Sequence, residues 1–139
     1  MILLDTNVIS ELLQAVPSPQ VVSWVSEHRH QLALSTVTIA ELAYGVEILP
    51  DGIRRTTLRS LVQRLVAAYA DRMLAFTERT GWQYGEVMAQ ARSAGRTMSV
   101  TDGMIAAVAM VNGCDLATRN RRDFAVLPLR LVDPWAEAP

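Results

Sequence analysis

Short, almost uninterrupted hydrophobic runs alternate with longer segments of helical periodicity along the whole chain, and this alternation constrains the fold more than any other feature. Ile2 to Asp5, Leu32 to Ser35, Met73 to Phe76, Asp115 to Thr118 and Leu129 to Val132 read as brief strands of the kind found in a sheet covered on both faces. Between them, Leu58, Leu61, Val62, Leu65, Val66 and Tyr69 recur at helical spacing over residues 53–69. Arg54, Arg55, Arg59 and Arg64 fall off that stripe, so a core-facing helix with a basic back is expected. Ile39, Leu42, Ala43 and Val46 repeat the pattern, as do Tyr84, Val87, Met88 and Ala91. Thr101 to Val111 is apolar nearly all round, which predicts a buried helix closed by Gly113. Such strand–helix alternation predicts an α/β fold: one three-layer α/β/α domain over residues 1–139 with a mostly parallel central sheet. In that architecture ligands sit beyond the carboxyl ends of the strands.

A chain of 139 residues, half of them hydrophobic, has material for one continuous core. The longest apolar run, Met104 to Val111, is far too short to span a bilayer, so no membrane association is expected. Met1 to Asp5 lacks the basic and long apolar regions of a secretion signal, and a cytoplasmic location follows as the expectation. The single cysteine, Cys114, agrees with a reducing compartment and reads as a small core residue. All 13 basic residues are Arg. Without Lys the chain cannot be a Walker A nucleotide binder, a Schiff-base enzyme or a lysine-bearing phosphoaspartate receiver. Charge is uneven: five acids face a single Arg before residue 50, and nine acids face twelve Arg after it. A net charge of −1 therefore conceals a candidate basic surface that includes Arg54, Arg55 and Arg59.

Four acids, Asp5, Glu41, Asp102 and Asp123, each follow a predicted strand or open a predicted helix. Each has a structural alternative. Asp5 or Asn7 suits a helix cap, Thr38 with Glu41 and Ser99 with Asp102 match capping-box spacing, and Asp123 suits a turn. Convergence on one sheet edge shifts the balance, because gathered carboxylates repel and a divalent cation relieves the repulsion. Glu41 lies off the apolar stripe of its helix, while Asp102 stands one turn before Ile105 and Ala106, where an unpartnered carboxylate is costly. An oxygen-only ligand set suits Mg²⁺ or Mn²⁺ rather than zinc. His28 and His30 show no metal-ligand spacing, and no nucleophile elbow or Cys/His pair is present. Metal-dependent phosphodiester hydrolysis is the chemistry that remains.

Over essentially its whole length the chain resembles the PIN-domain ribonucleases, and among them the VapC-type toxins of type II toxin–antitoxin pairs. The resemblance rests on Leu3-Leu4-Asp5-Thr6-Asn7-Val8, Ser35 to Leu42 with Tyr44-Gly45, and Gly95-Arg96 leading to Asp102. It continues through Ile105-Ala106-Ala107, Leu116-Ala117-Thr118-Arg119-Asn120, Asp123-Phe124 and Asp133-Pro134-Trp135. It implies a PIN-like fold and a Mg²⁺- or Mn²⁺-dependent endoribonuclease whose first three acids correspond to Asp5, Glu41 and Asp102. Thr6 and Thr118 resemble the hydroxyl residues that support the acids, with Asn7 beside them. The fourth acidic position falls to Asn120 or Asp123. Gly103 departs from the family pattern, where a small helix former such as Ala is usual.

The resemblance also implies a cognate VapB-type antitoxin, a homodimer and an RNA substrate, for which Arg54, Arg55 and Arg59 on the basic back of the 53–69 helix are the candidate binding residues. Val21, Val22, Trp24 and Val25 offer apolar surface for such an interface, or else belong to the core. Two other readings compete: a catalytically degenerate RNA-binding module, against which the presence of all three acids argues, and a non-toxin metal-dependent phosphoesterase.

Overall fold

All five hydrophobic runs form strands in a computed structural model that describes residues 1–136: β1 (Ile2–Leu4), β2 (Leu32–Ser35), β3 (Met73–Leu74), β4 (Asp115–Ala117) and β5 (Leu131–Val132). They join in the order β3-β2-β1-β4-β5 with every pairing parallel. Between them run α1 (Thr6–Leu12), α2 (Pro19–His28), α3 (Thr36–Glu47), α4 (Ile53–Ala68), a 3₁₀ turn at Ala70–Arg72, α5 (Glu78–Ser93), α6 (Val100–Val111) and the short α7 (Arg121–Phe124). Progress along the sheet runs outward from β1 through β2 to β3, then returns to the other side of β1 for β4. The reversal leaves a crevice beyond the carboxyl ends of β1 and β4, the place where open parallel sheets accept ligands.

Alternate side chains of the strands serve two cores, one on each face. Leu3, Ala33 and Leu116 pack with α5 and α6 residues such as Val87, Ala91, Ile105 and Val108. Ile2, Leu4, Leu32, Leu34 and Ala117 pack with Val8, Ile9, Val21, Trp24, Leu42 and Val46 from α1, α2 and α3. Each fully buried aliphatic side chain contributes about 1.5–3 kcal/mol of transfer free energy, so double coverage lets strands of two to four residues persist. Val21 and Trp24 thus belong to the core, while Val22 on the same helix is exposed. Cys114 is a buried free thiol, as expected.

Two features refine the sequence reading. α4 stands farther from the sheet than its periodicity predicts: among its helical residues only Val62 is buried, and Leu61 is exposed. Val62 still joins the core cluster, with Leu58, Leu65 and Val66 packed against it as a core-facing stripe requires, but an open groove remains between α4 and α3. Gly103 is explained by packing: a Cβ there would lie 2.5 Å from Met88 Sδ and 3.0 Å from Tyr84 Cε2, so its absence lets α5 close on α6. α6 ends as anticipated, with Gly113 at φ 63°, the Gly113 N–H donating to Met110 O and the Cys114 N–H to Ala109 O. No helix among the described residues is long and apolar enough to cross a membrane.

Candidate active site

Asp5 is the first residue beyond β1 and caps α1, its Oδ1 accepting the Thr6 N–H at 2.8 Å. The capping reading is therefore correct for this residue, yet capping uses only one carboxylate oxygen. Oδ2 accepts the Thr118 hydroxyl at 2.7 Å from just beyond β4, and the Asp5 N–H donates to Ala117 O. Asp5 is 3% exposed. Burial, reinforced by the fields of Asp102 and Glu41, pushes its carboxyl up from 3.8 to about 6, against the lowering effect of the Thr118 and Thr6 hydrogen bonds.

Thr118 is fully buried and acts as a hub: it donates to Asp5 and accepts from Asn7 Nδ2 at 3.3 Å and from the Asn120 N–H at 3.0 Å. Asn7 Oδ1 in turn accepts the Arg119 N–H at 3.5 Å. The segment after β4 is thus tied to the first turn of α1, which fixes both sides of the crevice.

Glu41 reaches the site from α3, its Oε1 accepting the Thr6 hydroxyl at 2.6 Å. Since Thr6 has given its proton to Glu41, its 3.0 Å contact with Thr38 Oγ1 requires the Thr38 hydroxyl to donate. Ser35 Oγ accepts the Thr38 N–H and is the cap of α3. Thr38 is therefore not the capping residue that its spacing to Glu41 suggested. It is turned inward and steadies Thr6.

Asp102 stands in the first turn of α6, its N–H donating to the Ser99 cap at 3.2 Å. Burial raises its carboxyl; a side-chain hydrogen bond from Ser99 opposes this, and the fields of Glu41 and Asp123 add to the rise. Asp123 lies on α7, is exposed, and does not line the cleft, but its charge reaches Asp102. Asn120 does line it.

Asp5, Glu41 and Asp102 share the wall of one cleft of about 360 Å³ with Thr6, Asn7 and Asn120. Five further lining residues escaped the sequence reading: Ser10, Glu11, Gln14, Arg119 and Trp135. Asn7, Ser10, Glu11 and Gln14 recur at helical spacing, a polar stripe opposite buried Val8 and Ile9 that a face-by-face reading of this short helix could have found. Arg54, Arg55 and Arg59 lie elsewhere, on α4: Arg55 pairs with Asp51 at 3.1 Å, Arg59 with Glu47 at 2.7 Å, and Arg54 borders the groove. That groove, about 820 Å³, runs between α1, α3 and α4, is lined by Leu13, Leu42, Val46, Leu58, Leu61 and Val62, and meets the acidic cleft at Thr6, Ser10, Gln14 and Glu41.

The donor set is all oxygen, and no ion pair among the described residues involves Asp5, Glu41 or Asp102. Carboxyls raised by burial and by one another suit a hard divalent cation in charge and ligand type. The fit is one of chemistry, because no three His, Cys, Asp or Glu side chains among the described residues already stand in position to grip an ion.

Comparison with known proteins agrees with the geometry. The family model described as PIN domain matches residues 2–128. The chain is 39% identical over 140 residues to VapC ribonuclease Y4jK of Sinorhizobium fredii, covering 99% of this chain and 100% of that one. It is 36% identical over 137 residues to toxin FitB of Neisseria gonorrhoeae, covering 97% and 99%. The crystal structure of FitAcB from Neisseria gonorrhoeae superposes with a TM-score of 0.90 at 35% identity, over 99% of this chain and 100% of that chain.

Proposed function

The chain belongs to the PIN-domain family, with VapC-type relatives, and we propose that it is a divalent-metal-dependent endoribonuclease that acts as the toxin of a toxin–antitoxin pair. The observation that carries this reading is the convergence of Asp5, Glu41 and Asp102, from three separate elements, on one cleft at the point where the strand order reverses. Asp5 and Asp102 would hold the ion directly, with Glu41 completing the set. Asp123, from its exposed position, adds negative potential through Asp102. The chemistry that Mg²⁺ or Mn²⁺ supplies in such a site is polarisation of the phosphodiester and acidification of water for in-line attack. Thr118 and Thr6 orient Asp5 and Glu41, and Asn120 presents an uncharged amide at the cleft wall.

Of the three α4 arginines expected to bind RNA, Arg54 alone lies outside the ion pairs of the described residues, so it contributes most to any such contact. Several solved neighbours are VapBC assemblies, and one is a toxin–antitoxin complex. The apolar groove that opens into the acidic cleft suits the same arrangement here: a partner segment lying along Leu58, Leu61 and Leu42 would deliver a cationic side chain, best an Arg, among the carboxylates.

Purified protein and single-stranded RNA test the reading. Cleavage stops on chelation and returns with Mg²⁺ or Mn²⁺; Asp5→Asn, Glu41→Gln and Asp102→Asn each abolish it in a folded protein. Undiminished cleavage after thorough chelation contradicts the metal assignment. Production of the chain alone arrests bacterial growth, and co-production of the protein encoded beside it restores growth.

A further inference from the structure

A cleft walled by carboxylates repels the polyanion it is proposed to cut, so the substrate needs a cation at the mouth. Arg119 is such a cation. It lines the cleft together with Asp5, Glu41 and Asp102, yet it takes part in no ion pair among the described residues. Its guanidinium carbon lies 5.1 Å from the centroid of the Trp135 ring, a cation–π contact on the same cleft wall. Its backbone is fixed as well, because it follows the buried Thr118 that holds Asp5, and its own N–H donates to Asn7 Oδ1.

We propose that Arg119, propped on Trp135, binds a backbone phosphate of the RNA and thereby positions the strand over the acidic cleft. The proposal rests on the ribonuclease reading and adds a substrate-binding group to it. Trp135 has a definite part: an unsupported guanidinium beside the cleft's carboxylates would fold onto them, neutralising the charge that the metal requires and losing its own reach toward substrate. Stacking on the indole holds the planar fork off the acids and leaves its N–H edges for a phosphate, which a guanidinium grips in two-point fashion. Trp135 is partly buried and packs against the core, so it is a stable prop.

The test is the salt dependence of cleavage kinetics in Mg²⁺, with Mn²⁺ affinity measured in parallel. Arg119→Ala raises KM for single-stranded RNA about tenfold with kcat nearly unchanged, and flattens the slope of log KM against log salt by about 0.7, the value for one lost contact to a single strand. Arg119→Lys recovers the salt slope but only part of the KM, since an ammonium replaces the charge and not the fork. Trp135→Leu raises KM in the same direction by a smaller factor. Mn²⁺ affinity of Arg119→Ala stays equal to or tighter than that of the unaltered protein. Unchanged KM and salt slope in Arg119→Ala, with the unaltered protein cleaving normally, overturn the proposal and leave the ribonuclease reading standing. Loss of Mn²⁺ affinity in Arg119→Ala also overturns it, because the residue would then be supporting the acids. Failure of the unaltered protein to cleave RNA removes both.

Discussion

On one side of the acidic cleft α6 lies sealed against the sheet, with Ile105 through Ala109 buried in an unbroken run and α5 drawn close enough that a methyl group on Gly103 would displace Met88 and press on Tyr84. On the other side α4, although 16 residues long, buries only Val62 and leaves a groove of about 820 Å³ between itself and α3. Asp102 stands on the sealed side and Glu41 on the open side, with Asp5 between them at the end of β1. The contrast separates two tasks. Rigid packing holds acids in place against their mutual repulsion, whereas surface left uncovered beside them is where a regulator can attach without disturbing that packing.

The largest effect is expected where the two sides meet. Asp5→Asn abolishes cleavage and removes a pH-dependent stability penalty from the ion-free protein. In the unfolded chain this carboxyl ionises near its ordinary 3.8, and in the folded chain only at about 6. Between those values the folded state holds a proton that the unfolded state has lost, so stability falls as pH rises through that window and the penalty persists above it. The penalty is about 3 kcal/mol at neutral pH, at about 1.36 kcal/mol per unit. The unaltered protein therefore loses stability as pH rises from about 4 to about 7, a loss that Asp5→Asn does not share because an amide does not ionise. Melting curves of both proteins at the two pH values check this, and an equal change with pH in both would assign the effect to something other than ionisation of Asp5.

On the sealed side, Gly103→Ala tests how tight the packing is. Alanine improves helix propensity by about 1 kcal/mol, but overpacking against Met88 and Tyr84 costs about 1–3 kcal/mol, so a net loss of up to about 2 kcal/mol is expected. Thermal or urea unfolding measures it. A stabilised Gly103→Ala protein would show that α5 moves away freely and that this side is no more rigid than the other.

Asp123→Asn has a smaller consequence. Its carboxylate is exposed and acts on Asp102 only through space, so Mn²⁺ affinity weakens by a few-fold, less than the roughly 10- to 100-fold typical of groups bonded to a ligand. An isotherm with more than about a 100-fold loss would make Asp123 a direct ligand. Least affected is the free protein carrying Leu61→Asp on the open side, where stability stays within about 0.5 kcal/mol and cleavage is unchanged. Co-purification with the neighbouring protein is lost in this variant. Retained co-purification would place the regulator elsewhere.

The sequence was most readable where a residue's own spacing decides its fate. Leu32 to Ser35 forms a strand over its full predicted length because it lies between β1 and β3 and both faces are covered. Met73 to Phe76 and Leu129 to Val132 shorten to two residues each at the edges, where a strand has one neighbour to pair with, whereas β1 and β4 inside the sheet give up only Asp5 and Thr118, which turn to the site. In Ser35-Thr36-Val37-Thr38 three hydroxyl residues are competent to cap α3; Ser35 does so, while Thr38 contacts Thr6, 32 positions earlier in the chain, a partner that local spacing does not reveal. Helical periodicity put Arg55 and Arg59 outside the core, but it carries no information about Asp51 and Glu47, which neutralise them. Trp135 follows a proline and belongs to no periodic segment, so only the folded chain reveals that it faces the acids.

The central claim is that Asp5, Glu41 and Asp102 form a cation site and are more than helix caps. The most direct measurement is the melting temperature at neutral pH as a function of added Mn²⁺, for the unaltered protein and for Asp5→Asn. Binding to the folded state alone raises stability with ion concentration. The account predicts a rising melting temperature for the unaltered protein and a flat one for Asp5→Asn. Equal dependence on Mn²⁺ in both proteins, or none in either, would contradict it.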